Sequence, residues 1–142
     1  MNHEEEALLR RAIELARMAR EVHGNPPFGS LLAGPDGRVL AEERNTSLAD
    51  NDITAHPELK LARWAARELD PATAATTTMY TSCEPCGMCQ GAIERSGLGR
   101  VVFALSTEQL NALKPPVTRP GVKHDGPALL EEARVPVEGY YV

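Results

Sequence analysis

The chain has 142 residues and a formal net charge of −5, with 42% hydrophobic and 25% charged residues. That is the balance of an ordinary globular protein with one core, and it excludes intrinsic disorder as the organising state. No apolar run approaches ~18 residues, so no membrane span is expected. An acidic chain also lacks the overall basic footprint of a protein that lives on phosphate backbones.

The start, Met1-Asn2-His3-Glu4-Glu5-Glu6, is acidic and has no apolar segment of the kind a secretory signal needs, so a cytoplasmic location is expected. From Glu4 to about His23, the residues Leu8, Leu9, Ala12, Ile13, Ala16, Ala19 and Val22 recur three and four apart, which predicts an amphipathic helix. Gly24-Asn25-Pro26-Pro27 ends it. Phe28 to Ala33 and Arg38 to Glu43 are short runs separated by Gly34-Pro35-Asp36-Gly37, a hairpin pattern. After a polar, turn-like stretch from Asn45 to Asp52, a second helix is predicted from Pro57 to Leu69, closed by Asp70-Pro71. Thr76 to Ser82 is β-branched and reads as a buried strand, Cys86 to Ser96 as a helix ended by Gly97, and Arg100 to Leu105 as a further strand. A strand, helix and strand with short links imply a parallel crossover. Lys114 to Pro127 holds four prolines and two glycines and reads as a loop, with a short helix near Ala128 to Ala133. No repeat or long linker divides residues 1–142, so one domain is expected, of α/β class, with helices packed on a mixed sheet that begins with a hairpin.

The three cysteines, Cys83, Cys86 and Cys89, lie within seven residues. An odd, tight cluster suits a metal or reactive site better than a disulfide framework. Two segments carry the chemistry: Thr54-Ala55-His56-Pro57-Glu58, opening the second helix, and Glu84-Pro85-Cys86-Gly87-Met88-Cys89, opening the third. Cys86 and Cys89 are three apart, so at a helix start both sulfurs lie on one face and can hold one ion. His56 adds a nitrogen from the other helix. Two thiolates and one imidazole leave zinc's fourth tetrahedral position for water, the catalytic rather than the closed structural pattern. Unpaired N–H groups at a helix start favour thiolate over thiol. Glu58 follows His56 by two residues, roughly 200° around an ideal helix. It should therefore stand outside the ligand set, yet beside the water, where a carboxylate can take a proton and return it to a leaving group. Zinc hydroxide with such a shuttle suits attack on an amino-bearing ring carbon, releasing ammonia.

The H-x-E…P-C-x-x-C arrangement is a known signature of zinc nucleobase deaminases. The chain resembles the cytidine deaminase-like superfamily, and within it the guanine deaminase and tRNA adenosine deaminase branch. The markers are Pro27-Phe28-Gly29, Asn45, Asn51-Asp52 with Thr54-Ala55-His56, the run Tyr80 to Cys89, and Gly91-Ala92-Ile93. The resemblance runs from the first helix to about Leu105. It implies a three-layer α/β/α fold with a central mixed five-stranded sheet. It further implies His56, Cys86 and Cys89 as ligands of Zn2+, Glu58 as the catalytic proton shuttle, Asn45 as a hydrogen-bonding partner of the base, and Phe28 as a pocket wall. Relatives of this kind are similar in assembling as dimers, so a homodimer is expected. One departure stands out: Pro57 occupies a position that is usually alanine. Proline suits the first position of a helix, where its missing N–H is no loss, so metal binding should survive.

Plainer readings compete at each position. Cys83 to Cys89 looks like part of an iron–sulfur run, but a fourth cysteine is missing, and Cys83 reads better as a small packed residue at a strand end. A purely structural zinc site would want a fourth Cys or His and leaves Glu58 without a purpose. His3, His23 and His124 read as surface residues, Trp64 as a packing residue, Met88 as core filler, and Glu84 as a strand-end hydrogen-bonding residue. Asn45, between a strand and a turn, has backbone reasons of its own. Tyr140 and Tyr141 could close over a planar substrate or anchor the last segment. Residues 113–142 carry four Lys or Arg and four Asp or Glu, a net charge of zero. That favours a free nucleobase or nucleoside over tRNA, and nucleic acid is not an expected partner. Among small substrates the reading leans to guanine-type purines. Cytosine-type or triazine-type bases, a tRNA adenosine and a zinc-stabilised binding module without activity are the alternatives.

Overall fold

The computed structural model describes residues 1–142. The first helix, α1, spans His3–Glu21 and starts where Asn2 Oδ1 accepts the Glu5 N–H at 2.9 Å. Three glutamates in the first turn complement the positive end of the helix. The hairpin follows as β1 (Gly29–Ala33) and β2 (Val39–Arg44), paired antiparallel. Its turn closes with Gly34 N–H bonded to the Arg38 carbonyl and Asp36 Oδ1 accepting the Arg38 N–H, while Gly37 supplies a φ of 81°.

The second long helix, α2, spans Pro57–Glu68. Asp70-Pro71 does more than close it. Asp70 caps a further short helix, α3 (Pro71–Ala75), with Pro71 in its first turn, so the dipeptide is a start as well as a stop. Strand β3 (Thr78–Cys83), helix α4 (Gly87–Ser96) and strand β4 (Arg100–Leu105) form the expected parallel crossover, and Gly97 ends α4 in the left-handed region at φ 88°. An additional helix, α5 (Thr107–Ala112), begins at a capping box between Ser106 and Gln109. A last one, α6, spans Leu130–Ala133.

The sheet has the order β2-β1-β3-β4, with β3–β4 parallel and the other pairs antiparallel. It is the mixed, helix-flanked sheet anticipated above, but with four strands rather than five. After α5 the chain enters the proline-rich stretch, whose prolines lack the N–H a ladder needs, and no strand returns to the β4 edge.

Strand alternation divides the core between the two faces. Leu31, Ala33, Tyr80 and Val102 point to one side, where Leu8 and Leu9 of α1 cover them. Leu32 and Met79 point to the other and pack with Leu61, Ala62 and Ala65 of α2 and Ile93 of α4. Trp64 packs against this second cluster, as a packing residue should. At Gly29 helix α1 comes so close that an added Cβ would lie 2.5 Å from the Ala16 backbone nitrogen, so only glycine fits. Residues 114–142 are exposed throughout, including Leu129, Leu130, Val135, Val137, Tyr140 and Tyr141. The two tyrosines meet edge to face with each other, and neither closes over nor anchors anything within the chain.

Candidate metal centre and active site

Both chemistry-bearing segments sit at helix starts on the same side of the sheet. Before α2, Asp52 Oδ1 accepts bonds from the N–H and hydroxyl of Thr54, and the Ala55 N–H returns to the Asp52 carbonyl. This turn presents His56 as the N-cap residue, in extended backbone, with Pro57 taking the first helical position as expected. Before α4, Cys86 is the N-cap and Cys89 lies one turn on. Glu84 serves at the strand end: its N–H bonds the Leu105 carbonyl at 2.7 Å, and its carboxylate accepts the Thr107 N–H at 2.9 Å.

The structure brings His56, Cys86 and Cys89 together, with their ligand atoms all within 4.8 Å of one another. His56 Nδ1 lies 3.7 Å from Cys86 Sγ and 3.5 Å from Cys89 Sγ. Tetrahedral zinc, with its usual bond lengths to sulfur and nitrogen, would set such pairs about 3.6 Å apart. The donor set therefore fits zinc in kind and in spacing. The electrostatics differ between the ligands. Burial pushes the Cys89 thiol far above its ordinary pKa, and the nearby Glu58 carboxyl and Cys86 push it further the same way. Burial lowers the His56 pKa, which favours the neutral imidazole a metal requires. A thiol held neutral in this way is deprotonated when it coordinates a divalent cation.

Glu58 is 6% exposed and lies in the first turn of α2. Burial, the largest influence, raises its carboxyl pKa; hydrogen bonds, including those from Ser30, Cys89 and Thr81, oppose the rise. Ser30 Oγ lies 3.1 Å from Glu58 Oε1 and 2.8 Å from Thr81 Oγ1. The carboxyl thus lies near enough to Cys89 for each to shift the other's pKa, while standing outside the ligand cluster itself. Ser30 and Thr81 escaped the sequence reading. Their only signal is parity: each lies two residues from a core position, Leu32 or Met79, on the same strand face.

Asn45 is buried, and its Oδ1 accepts the Ser47 N–H at 2.8 Å, the local turn bond that its sequence position suggested. Its side-chain amide NH2 makes no hydrogen bond within the chain. The Asn45 N–H bonds the carbonyl of half-buried Phe28, and the Thr46 N–H bonds the carbonyl of Ala55, next to His56. Backbone bonds therefore string Phe28, Asn45 and His56 along one side. Cys83 is buried at the end of β3, outside the ligand cluster. His3, His23 and His124 are exposed. Met88 is 39% exposed and does not fill the core, because the start of α4 turns its side chain outward between Cys86 and Cys89.

Residues 2–105 match the family model described as the cytidine and deoxycytidylate deaminase zinc-binding region. The chain is 33% identical to a probable cytosine deaminase from Schizosaccharomyces pombe, over 95% of this chain and 91% of that protein. It is 35% identical to a tRNA-specific adenosine deaminase from Haemophilus influenzae, over 77% of this chain and 62% of that one. Of a tRNA(Ile)-lysidine synthase from Deinococcus deserti, 40% identical over 105 residues, the chain spans only 19%. Among solved structures, a guanine deaminase from Bacillus subtilis superposes with a TM-score of 0.78 at 28% identity, covering 99% of this chain and 94% of that one.

Proposed function

This chain belongs to the cytidine and deoxycytidylate deaminase family, and from that premise we propose that it is a zinc-dependent hydrolytic deaminase of a free nucleobase or nucleoside, with a guanine-type purine as the favoured substrate. Residues 1–142 then form one deaminase domain. The observation that carries the reading is the meeting of His56 Nδ1 with both cysteine sulfurs.

His56, Cys86 and Cys89 would hold the metal. When bound, zinc supplies Lewis acidity that makes water a nucleophile near neutral pH. The remaining work falls to side chains. Glu58 takes the proton released as water adds to the amino-bearing ring carbon and delivers it to the departing amino group. The C–N bond breaks, ammonia leaves, and a carbonyl replaces the amine. The Asn45 amide NH2 donates to an acceptor on the ring, and Phe28 flanks the ring's apolar face. Pro57 stiffens the backbone between ligand and shuttle, so the two keep their spacing.

The guanine-type preference is supported by the likeness to the Bacillus subtilis guanine deaminase, which extends through the exposed C-terminal stretch. A neutral stretch from 113 to 142 and a net charge of −5 give a polyanion little to hold. A cytosine-type base is the second reading, supported by the near full-length match to the probable cytosine deaminase. A homodimer is part of the proposal: the apolar side chains between Leu129 and Val142, exposed in a single chain, are covered by a second copy. The protein is proposed to work in the cytoplasm.

An ammonia-release screen over guanine, cytosine, their nucleosides, a triazine and a tRNA anticodon stem-loop tests the assignment. Guanine should turn over fastest. Turnover of the stem-loop alone would move the chain to the tRNA-acting branch, and zinc-loaded protein inert to every compound would leave a binding module.

A further inference from the structure

We propose that Ser30 and Thr81 are positioning residues that hold the Glu58 carboxyl in one orientation, an inference that rests on the reading of Glu58 as the shuttle. The two lie directly opposite each other on the antiparallel pair β1–β3. Their neighbours of the same parity, Leu32 and Met79, belong to the apolar cluster beneath α2 and α4. Two hydroxyls thus replace apolar side chains on a packed sheet face, at the end nearest the first turn of α2. Ser30 is 0% and Thr81 1% exposed. Buried hydroxyls are costly unless bonded.

Their bonds converge on Glu58. Each hydroxyl carries a single proton. Ser30 Oγ touches both Glu58 Oε1, at 3.1 Å, and Thr81 Oγ1, at 2.8 Å. Either Thr81 donates to Ser30 and Ser30 to Oε1, or Ser30 donates to Thr81 and Thr81 to the carboxyl, and in both directions the chain of bonds ends on Glu58. The carboxyl is thereby held against rotation, which would otherwise present either oxygen in turn. Neither hydroxyl is a metal ligand or a substrate contact; both act through Glu58.

Thr81→Val removes the hydroxyl at nearly constant shape, and Thr81→Ser keeps it. With zinc-loaded protein and guanine, Thr81→Val should lower kcat by about ten- to a hundredfold with KM unchanged, and Thr81→Ser should restore most of it. Ser30→Ala, the milder change in a packed strand, should act in the same direction. Zinc content should stay at the wild-type level in all three. The second readout needs no turnover: the 13C resonance of the Glu58 carboxyl, assigned by its loss in Glu58→Gln, should move in Thr81→Val and Ser30→Ala and hold in Thr81→Ser. A resonance that stays put in both hydroxyl-free variants overturns the proposal. So does a loss of rate in Thr81→Ser equal to that in Thr81→Val, because packing alone would then explain it. If the wild-type protein releases no ammonia from any compound, the shuttle reading fails, and the resonance alone decides whether the hydroxyls orient the carboxyl.

Discussion

Glu58→Gln separates the proton shuttle from the metal centre. The substitution keeps the shape of the side chain and an amide oxygen to accept the Ser30 hydroxyl, now 3.1 Å away, but removes the ability to carry a proton. Glu58 lies outside the group formed by His56, Cys86 and Cys89, so zinc should remain at one per chain. Fold stability should change by no more than about 1–2 kcal/mol, because one hydrogen bond is altered and no cavity opens. Turnover carries the whole effect. Loss of general acid–base catalysis is worth about two to four decades, or about 3–6 kcal/mol of barrier at about 1.4 kcal/mol per decade. The assay is ammonia release at saturating substrate, with metal analysis and a thermal melt on the same sample. Wild-type turnover in Glu58→Gln would refute the shuttle. Loss of zinc together with activity would show that Glu58 belongs to the metal centre instead.

Three further outcomes test other parts of the structure. His56→Ala and Cys86→Ala should each bring bound zinc well below one per chain, lower the melting temperature and abolish the destabilisation that a chelator causes in the wild type, because metal binding and folding are coupled. Leu61→Ala, at a 1% exposed position beneath the sheet, should cost about 2–5 kcal/mol in urea unfolding, and a cost below about 1 kcal/mol would mean that α2 does not pack as described. The Arg11 guanidinium holds the Glu42 carboxyl below the usual carboxylate range through hydrogen bonds at 2.6 and 3.0 Å. A carboxyl whose folded pKa is depressed contributes stability above its unfolded pKa and loses it as pH falls through the folded value. Wild type should therefore exceed Glu42→Gln near neutrality by about 0.2–1 kcal/mol, a small figure because both groups are partly exposed, and the gap should close on acidification below the ordinary carboxylate range. A gap that persists in acid would mean that the pair is not the cause.

Legibility in the sequence followed the range of the interactions. Helix α1, the β1–β2 hairpin and the β3–α4–β4 crossover could be read because apolar spacing and turn residues are local signals, and His56, Cys86 and Cys89 because ligand chemistry demands those residue types at helix starts. Two short helices were missed although their marks are present. Asp70-Pro71 both stops α2 and caps α3, and Ser106 with Gln109 spells a capping box that was passed over. Met88 lies between two cysteines that meet His56 and is itself left outside, which periodicity in so short a stretch does not reveal. Ser30 and Thr81 were invisible for a different reason. They lie 51 positions apart, and only strand pairing makes them neighbours of each other, and the packing of α2 on the sheet neighbours of Glu58. The missing fifth strand is a matter of context as well, since proline-rich sequence after α5 carries the chain away from the β4 edge.

The zinc-edge X-ray absorption spectrum of the purified, zinc-loaded protein bears most directly on the reaction. One zinc per chain, with two sulfur neighbours at about 2.3 Å and two lighter neighbours at about 2.0–2.1 Å, one of them exchangeable with solvent, is the predicted result. A third sulfur from Cys83, or two histidine nitrogens beside the two sulfurs, would close the coordination sphere and contradict the account.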